Sequence, residues 1–252
     1  MSADREQEIF FEVHSGLKRE GPGSEETTRR AFSLLQKPER IRRILDLGCG
    51  PGAQTLTLAA LTRARITAVD THAPYLRRIE DEVERLGWGD RVQTLEADMS
   101  ALPAEYAGAD LIWSEGAVYN IGFEKGLRYW RSLLPPGGEV ALSELCWFRE
   151  DLPAELEEFW REAYPDIRSR ADREAQFREA GYSLSGSFTL PEEDWLVHYY
   201  GPIEERLALL RERYRDDAAA LAVIAAEEKE IDIYRRYADC FGYLFLVGRR
   251  ES

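Results

Sequence analysis

A glycine-rich stretch, DLGCGPGA at residues 46–53, constrains the fold more than any other part of the sequence. A short apolar run, RRILDLG at 42–48, leads into it and has the composition of a buried parallel strand. The segment AQTLTLAALT at 53–62 follows as a helix. An open α/β sheet binds its ligand at such a loop, because glycine lets the backbone approach the ligand closely and adopt positive φ.

Strands and helices alternate through the middle of the chain. The segment 73–86 repeats its apolar residues with the 3.6-residue period of a helix that covers a sheet. A helix at 123–134 stops at LPPGG, because two prolines and two glycines cannot continue it. Further strands are predicted at 64–70, 91–98, 109–114 and 139–145. These βαβ units predict an α/β fold with a doubly wound, mostly parallel, Rossmann-like sheet.

Both ends of the chain are predicted to add helices to this sheet. Residues 1–40, broken by GPGS at 21–24, form an N-terminal helical lid segment, and 41–252 form the main domain. Helices are expected at 153–164, 172–181 and, as a pair, 203–238, with strands at 182–190 and 242–248. A helical insertion at about 192–240 therefore interrupts the hairpin of the last two strands. The insertion either shapes a pocket or only packs against the sheet.

Charge and cysteine content limit the partners and the location. The net charge is −14 at pH 7, which disfavours nucleic acid as a partner. The three cysteines are scattered and indicate a reducing compartment. The N-terminus is charged where a signal peptide is apolar, and no run approaches the roughly 20 apolar residues of a membrane span. We expect a cytoplasmic protein with a small-molecule partner and no membrane contact.

The glycine loop by itself is compatible with two cofactors. The pattern from Gly48 to Ala53 satisfies the dinucleotide fingerprint, so an NAD(P)-linked oxidoreductase is one alternative. Asp46 argues against it, because a carboxylate repels a pyrophosphate and suits a ligand with an ammonium group. Asp70 ends the second strand, where it would accept hydrogen bonds from ribose in either case. Asp98 and Met99 end the third strand and offer an acceptor and an apolar face to adenine.

The motifs LDLGCGPG, VD, AD and LPPGG resemble those of class I S-adenosylmethionine-dependent methyltransferases, over roughly residues 41–146. The resemblance implies a seven-stranded sheet with an antiparallel last strand, S-adenosylmethionine as cofactor and S-adenosylhomocysteine as product. It also implies that the glycine loop lines the methionine moiety. The resemblance places Gly48, Cys49, Gly50, Gly52, Asp70, Asp98 and Met99 at the cofactor. Four further residues are expected there from their positions in the sequence: Asp46, Gln54, Thr71 and Glu115.

A polar cluster, WSEGAVYNIGFE at 113–124, follows the fourth strand. In the fold that the resemblance implies, residues at this place face the transferable methyl group. Glu115 is a candidate general base, a ligand of the cofactor's amino group, or a helix cap. Tyr119 would orient the nucleophile or form an aromatic wall. Asn120 is predicted to be the N-cap of the following helix. The stretches GPGS and IWSEGAVYNIGFE further resemble an uncharacterised bacterial branch of small-molecule methyltransferases, without indicating a substrate.

A second group of candidates comes from distant parts of the sequence. Substrate-binding residues are expected after the fifth strand and at the start of the insertion: Glu144, Trp147, Trp195, Tyr199 and Tyr200. His198 joins Glu115 and Tyr119 as a catalytic candidate, because it could titrate near neutral pH; the alternative is a surface histidine. His14, beside two phenylalanines, is expected in a lid over the cofactor. No metal site is expected.

The leading hypothesis is a methyltransferase that acts on a small molecule by in-line transfer to O, N, S or C. The alternatives are the oxidoreductase and a non-catalytic cofactor-binding module, whose helical insertion would mainly build a homodimer interface.

Overall fold

The computed structural model describes residues 3–251, whose strands form one eight-stranded sheet. The strands are β1 Arg43–Leu47, β2 Arg65–Asp70, β3 Val92–Glu96, β4 Leu111–Glu115, β5 Glu139–Trp147, β6 Arg168–Ser169, β7 Tyr182–Thr189 and β8 Phe241–Arg250. Their order is β3-β2-β1-β4-β5-β8-β7, and β6 pairs with β5 beside this path. The first five strands pair in parallel, whereas β8 is antiparallel to both of its neighbours.

The predicted seven strands and the antiparallel last strand are confirmed. β6 was not predicted, because a two-residue strand carries no periodic pattern. Parallel strands are covered on both faces, and β5 accordingly is buried from Glu139 to Cys146. One face packs around Trp130 and Phe177, and the other around Trp113 and Phe245.

The helices also follow the sequence pattern closely. They are α1 Ala3–His14, α2 Glu25–Ser33, α3 Ala53–Leu61, α4 Ala73–Leu86, α5 Phe123–Leu133, α6 Ala154–Ala163, α7 Arg170–Glu179, α8 Glu192–Trp195, α9 Gly201–Arg213 and α10 Ala218–Tyr237. A π-helical turn, Leu196–Tyr200, joins α8 to α9. Ser24 caps α2 by accepting a hydrogen bond from the backbone N–H of Thr27 at 3.1 Å. No helix within residues 3–251 is long and apolar enough to cross a membrane.

The predicted N-cap role of Asn120 is wrong. Helix α5 begins after Gly122, whose φ of +84° sets the direction in which the chain enters the helix. Asn120 lies one turn earlier, in the 3₁₀ turn Val118–Ile121, and its side-chain amide donates to the carbonyl of Ala117 at 3.1 Å. The polar cluster after β4 therefore forms a turn of its own before the helix starts.

The insertion between β7 and β8 packs with the N-terminal helix. Arg206 of α9 donates from Nε to the carbonyl of Val13 at 2.7 Å, and α1 contacts both α9 and α10. An aromatic and aliphatic cluster that includes Trp160, Ile224 and Phe241 joins these helices to the end of the sheet. The insertion is thus built onto the sheet edge where the parallel strands end.

Candidate active site

The order of the strands reverses at β1: β2 and β3 are added on one side of it, and β4 and β5 are added on the other. β1 and β4 are therefore neighbours in the sheet although β2 and β3 come between them in the chain. Ligands of open α/β sheets bind at the carboxyl ends of the strands at such a point. A pocket of about 400 Å³ lies there. Its walls are the glycine loop after β1, the ends of β2 and β3, the residues that follow β4, and a turn of the N-terminal segment at residues 19–22.

The glycine loop comes into direct contact with the residues after β4. A Cβ atom on Gly48 would lie 2.4 Å from the Cβ of Ala117, and the φ of Gly48 is +69°. Only glycine allows the loop to pass this close to Ala117 without displacing it. Gly48, Cys49 and Gly50, which are expected to bind the cofactor, all line the pocket. Gly52 does not line it; it starts α3 with its Cα packed against Ile79.

Asp70 connects the glycine loop to the end of β2. Its Oδ2 accepts a hydrogen bond from the backbone N–H of Gly50, and its Oδ1 accepts one from the N–H of His72, both at 2.9 Å. The carboxylate is therefore held in place, and it keeps further lone pairs for a ligand. Asp70 and Thr71 both line the pocket.

Asp98 and Met99 lie at the end of β3 and line the pocket beside Asp70. Asp98 is exposed and accepts a hydrogen bond from the N–H of Ser100 at 2.7 Å, which lowers the pKa of its carboxyl. Met99 is 9% exposed, and its carbonyl accepts a hydrogen bond from Trp130 Nε1 at 3.1 Å. This wall offers a charged acceptor next to an apolar surface.

Asp46 is fully buried and does not line the pocket. It accepts hydrogen bonds from Thr55 Oγ1 at 2.5 Å and from Gln54 Nε2 at 3.4 Å. Burial raises the pKa of its carboxyl to about 7. Gln54, in contrast, reaches the pocket wall. Asp46 thus supports Gln54 and the first turn of α3 from behind, rather than facing a ligand directly.

Glu115, at the end of β4, lines the pocket with its side chain only 5% exposed. Its Oε2 accepts a hydrogen bond from Arg19 Nη1 at 2.6 Å. Its Oε1 accepts one from Thr28 Oγ1 at 2.7 Å and one from Trp113 Nε1 at 2.8 Å. Glu115 is not a helix cap, since α5 begins after Gly122. Oε1 has two hydrogen-bond partners and Oε2 has one, so Oε2 keeps a lone pair that can accept a further donor.

Arg19 is a pocket residue that the sequence analysis missed. It is 9% exposed, and its Nη2 also donates to Thr28 at 3.2 Å. Glu20 lines the pocket next to it. The adjacent GPGS turn was the available signal, because a turn that reverses the chain beside the pocket also brings its flanking charges there. The sequence predicted only a lid for this segment.

His14 connects the N-terminal segment to the insertion. Its ring is 2% exposed, with Nδ1 at 3.1 Å from Glu20 Oε2 and Nε2 at 3.5 Å from Glu227 Oε1. Burial would lower the pKa of His14, but the two carboxylates outweigh it and raise the pKa to about 9. The imidazole is therefore a buried cation at neutral pH.

The three catalytic candidates lie in different surroundings. Tyr119 lines the pocket beyond Glu115, 45% exposed, with its ring 5.9 Å from that of Tyr164. This position is compatible with the predicted aromatic wall. His198 is exposed within the π-helical turn and does not line the pocket, so it is not brought together with Glu115 and Tyr119.

None of the five predicted substrate-binding residues lines this pocket. Trp195 and Tyr200 are buried in the insertion, where Trp195 stacks on Tyr234 at 4.4 Å between ring centres. Trp147 and Tyr199 are half-buried. Glu144 is 1% exposed on β5.

Comparisons with known proteins agree with this geometry. Residues 44–138 match a family model described as a methyltransferase domain. The chain is 26% identical over 240 residues to the 27-O-demethylrifamycin SV methyltransferase of Amycolatopsis mediterranei, across 90% of this chain and 85% of that protein. It is 28% identical over 257 residues to the trans-aconitate 2-methyltransferase of Paracidovorax citrulli, across 90% and 95% of the two chains.

The fold is also similar to a solved structure. It matches a SAM-dependent methyltransferase of Geobacter sulfurreducens in complex with S-adenosyl-L-homocysteine, with a TM-score of 0.81 and 22% identity. The match covers 97% of this chain and 98% of that one, so the insertion and the N-terminal segment are included.

Proposed function

Because the chain belongs to the class I S-adenosylmethionine-dependent methyltransferases, we propose that the pocket between β1, β2 and β4 holds this cofactor. The protein is an enzyme that methylates a small molecule and releases S-adenosylhomocysteine. The oxidoreductase alternative has no support among these relatives, which are methyltransferases. The observation that carries the site proposal is the close approach of Gly48 to Ala117. Because no side chain fits at position 48, the backbone of the glycine loop itself faces the pocket between β1 and β4.

The residues present fit the adenosine part of the cofactor. Asp70 is held by two backbone N–H groups and would accept hydrogen bonds from the ribose hydroxyls. Asp98 would accept from the adenine amine, and Met99 would contact the ring. Thr71 and Gln54 complete these walls. The pocket's volume of about 400 Å³ suits one nucleoside-sized ligand with its amino-acid tail.

The Arg19–Glu115 pair fits the amino-acid end of the cofactor. This end carries one ammonium and one carboxylate, and the pair presents one carboxylate and one guanidinium at the same wall. Arg19 has five N–H donors, and two of its nitrogens are used by Glu115 and Thr28. We assign Arg19 to the cofactor's carboxylate and Glu115 to its ammonium group.

The cofactor supplies an electrophilic methyl group on a sulfonium. The chain's contribution is to orient the acceptor and exclude water, since in-line displacement at carbon depends mainly on positioning. Tyr119 would form a wall of the acceptor site beyond Glu115. The segment 1–40 would act as a lid, because Arg19, Glu20 and His14 tie it over the pocket.

Calorimetry with S-adenosylhomocysteine tests the site. We expect binding to the wild type and at least tenfold weaker binding to Asp70→Asn, since the amide offers only one oxygen and would turn an N–H₂ group towards a backbone donor. Asp90→Asn is a control in an exposed turn outside the pocket. Absence of binding to the wild type would contradict the function, and equal binding to Asp70→Asn would contradict the assignment of the ribose.

Two further features of the protein are proposed. A reducing, cytoplasmic setting is supported by the three cysteines, which are all free. A homodimer through the insertion is supported by Val197 and Leu209, which are 57% and 73% exposed. Sedimentation of the wild type beside Leu209→Glu would test the dimer, which predicts a concentration-dependent mass only for the wild type.

A further inference from the structure

Glu20 brings the N-terminal segment against the glycine loop. It lines the pocket, and a Cβ on Gly50 would lie 3.5 Å from its Cγ. The backbone N–H of Gly50 is one of the two groups that hold the carboxylate of Asp70. Tyr75 also lines the pocket, and burial together with the negative charge of Glu20 raises the pKa of its hydroxyl. Glu20 therefore lies beside the place that we assign to the ribose.

The imidazole of His14 lies behind Glu20 and does not itself line the pocket. Its Nδ1 faces Glu20 Oε2 at 3.1 Å, and its Nε2 faces Oε1 of Glu227, on α10, at 3.5 Å. His14 is the last residue of α1, where the helix dipole favours a positive charge. Among residues 3–251, no group of three or more His, Cys, Asp or Glu side chains is arranged to hold a metal ion, so these three side chains form an ion-pair network.

The other titratable and charged groups near His14 do not replace its charge. The ring of Tyr199 lies 6.2 Å away, and burial raises the pKa of its hydroxyl, so this side chain stays neutral. Burial raises the pKa of Glu230, one turn further along α10, and the charge of His14 opposes this rise. Arg78 and Arg206 reach the same end of α1, but their guanidinium groups donate to the backbone carbonyls of residues 12, 13 and 17.

Loss of the proton from His14 would leave the carboxylates of Glu20 and Glu227 on either side of a neutral ring. Their side chains are 22% and 13% exposed, so solvent screens the repulsion between them only in part. Glu227 is fixed within α10, whereas Glu20 lies in the turn between α1 and α2. Glu20 is therefore the residue that would move, and its movement would withdraw it from the glycine loop.

Resting on the proposed function, we propose that His14 is a positioning residue of the cofactor site: its imidazolium holds Glu20 beside the ribose and anchors it to Glu227 of the insertion. The charge of a residue outside the pocket thereby contributes to cofactor affinity. Because the pKa of His14 is raised to about 9, the contribution is complete at neutral pH and is lost as pH rises through 9.

The dependence of affinity on pH tests the proposal. The probe is 5′-methylthioadenosine, because it carries the adenosine part of the cofactor and has no group that titrates between pH 7 and 10. Calorimetry should show at least fivefold weaker binding to the wild type at pH 10 than at pH 7.5. An unchanged affinity would overturn the proposal, and so would a failure of this probe to bind although S-adenosylhomocysteine binds. Failure of S-adenosylhomocysteine to bind at pH 7.5 would count against the proposed function instead.

Variants show whether His14 carries this dependence. His14→Asn should bind 5′-methylthioadenosine at least fivefold more weakly than the wild type at pH 7.5 and should lose the fall at pH 10. Glu20→Gln should behave in the same way, because the carboxylate that the imidazolium holds is gone. Thermal unfolding checks that each variant is folded. A fall that survives in both variants would place the titrating group elsewhere and overturn the proposal.

Glu12→Gln is the matched control. Glu12 also lies on α1 and also ties it to the insertion side, but through Arg213 and the hydroxyl of Tyr214. This variant should keep the affinity within about twofold and retain the fall at pH 10. A loss as large as that of His14→Asn would show that any weaker attachment of α1 has the same effect, and would contradict a specific role of His14.

Hydrogen exchange provides a second test with a different readout. Amides of residues 15–22 report whether the turn that carries Glu20 opens. At pH 7.5, saturation with S-adenosylhomocysteine should slow their exchange at least fivefold in the wild type and less than about twofold in His14→Asn. Equal protection in the two proteins, or none in either, would overturn the proposal.

Discussion

Arg19 and Glu115 lie 96 residues apart in the chain, and their side chains meet at 2.6 Å in a wall of the pocket. Both are nearly inaccessible to solvent, at 9% and 5% exposure. A buried pair of this kind costs desolvation energy, which its geometry and additional hydrogen bonds must offset. Thr28 supplies such bonds to both partners. The pair therefore fastens the N-terminal segment to the end of β4.

Arg19→Met should weaken binding of S-adenosylhomocysteine by at least tenfold, because the guanidinium that we assign to the cofactor's carboxylate is lost. It should change the affinity for 5′-methylthioadenosine, which lacks the amino-acid end, by less than about twofold. Calorimetry with the two ligands measures the difference. Arg29→Met, on the exposed side of α2, is the control. Equal losses for both ligands would show that Arg19 only supports the pocket's shape.

Glu115→Gln should lower turnover more than about tenfold while the protein stays folded. The amide cannot balance the charge of Arg19 or of the cofactor's ammonium group, so we expect affinity for S-adenosylhomocysteine to fall as well. Glu124→Gln, an exposed residue of α5, should behave as wild type. Reduced turnover with unchanged cofactor affinity would instead support the general-base role, and unchanged turnover would remove both roles.

Gly48→Ala and Gly87→Ala separate backbone strain from steric contact, because both glycines have a φ of +69°. A Cβ on Gly87 has nothing within 4 Å, whereas one on Gly48 meets Ala117. We expect Gly87→Ala to cost about 1 kcal/mol of unfolding free energy through strain. Gly48→Ala should cost about 1–3 kcal/mol more through overpacking. Urea denaturation measures both, and equal costs would contradict the contact.

His14 should make stability depend on pH above neutrality. Its pKa is raised from 6.5 to about 9 in the folded protein, so the native state binds the proton more tightly than the unfolded state. This stabilisation is complete below pH 6.5 and is lost as pH rises through 9. Denaturation across this range should show a steeper fall for the wild type than for His14→Asn. The same slope in both would contradict the buried cation.

His198→Asn should leave kcat/KM within about twofold of wild type, because the imidazole is exposed and outside the pocket. Turnover assays at pH 6, 7 and 8 would measure this with any accepted methyl acceptor. A large loss that follows the titration of a group near neutral pH would restore His198 as a catalytic residue.

Sequence patterns predicted the fold well because they report local structure. The predicted helix at 73–86 matches α4 residue for residue, since its apolar period is that of a helix on a sheet. β6 was missed, because its two residues pair only where the chain returns to β5.

The candidate site was predicted in part. The location of Asp70 and Asp98 beside the pocket could be predicted, because both residues follow strands and the carboxyl ends of parallel strands lie at one edge of the sheet. Arg19 comes from a segment whose approach to that edge depends on tertiary packing, so its only mark in the sequence is the adjacent GPGS turn. Asp46 was placed at the right strand end, but the side of the strand on which it lies depends on α3, and the residue is buried there.

The pairing of β7 with β8 has a consequence for how this enzyme can vary. These strands pair from Tyr182 to Thr189 against Leu244 to Arg250, whatever chain connects them. The two ends of the insertion are therefore held near each other by the sheet, and lengthening a closed loop costs little entropy. Exchange of the insertion with that of a relative should therefore change acceptor choice while leaving the pairing of β7 with β8 intact.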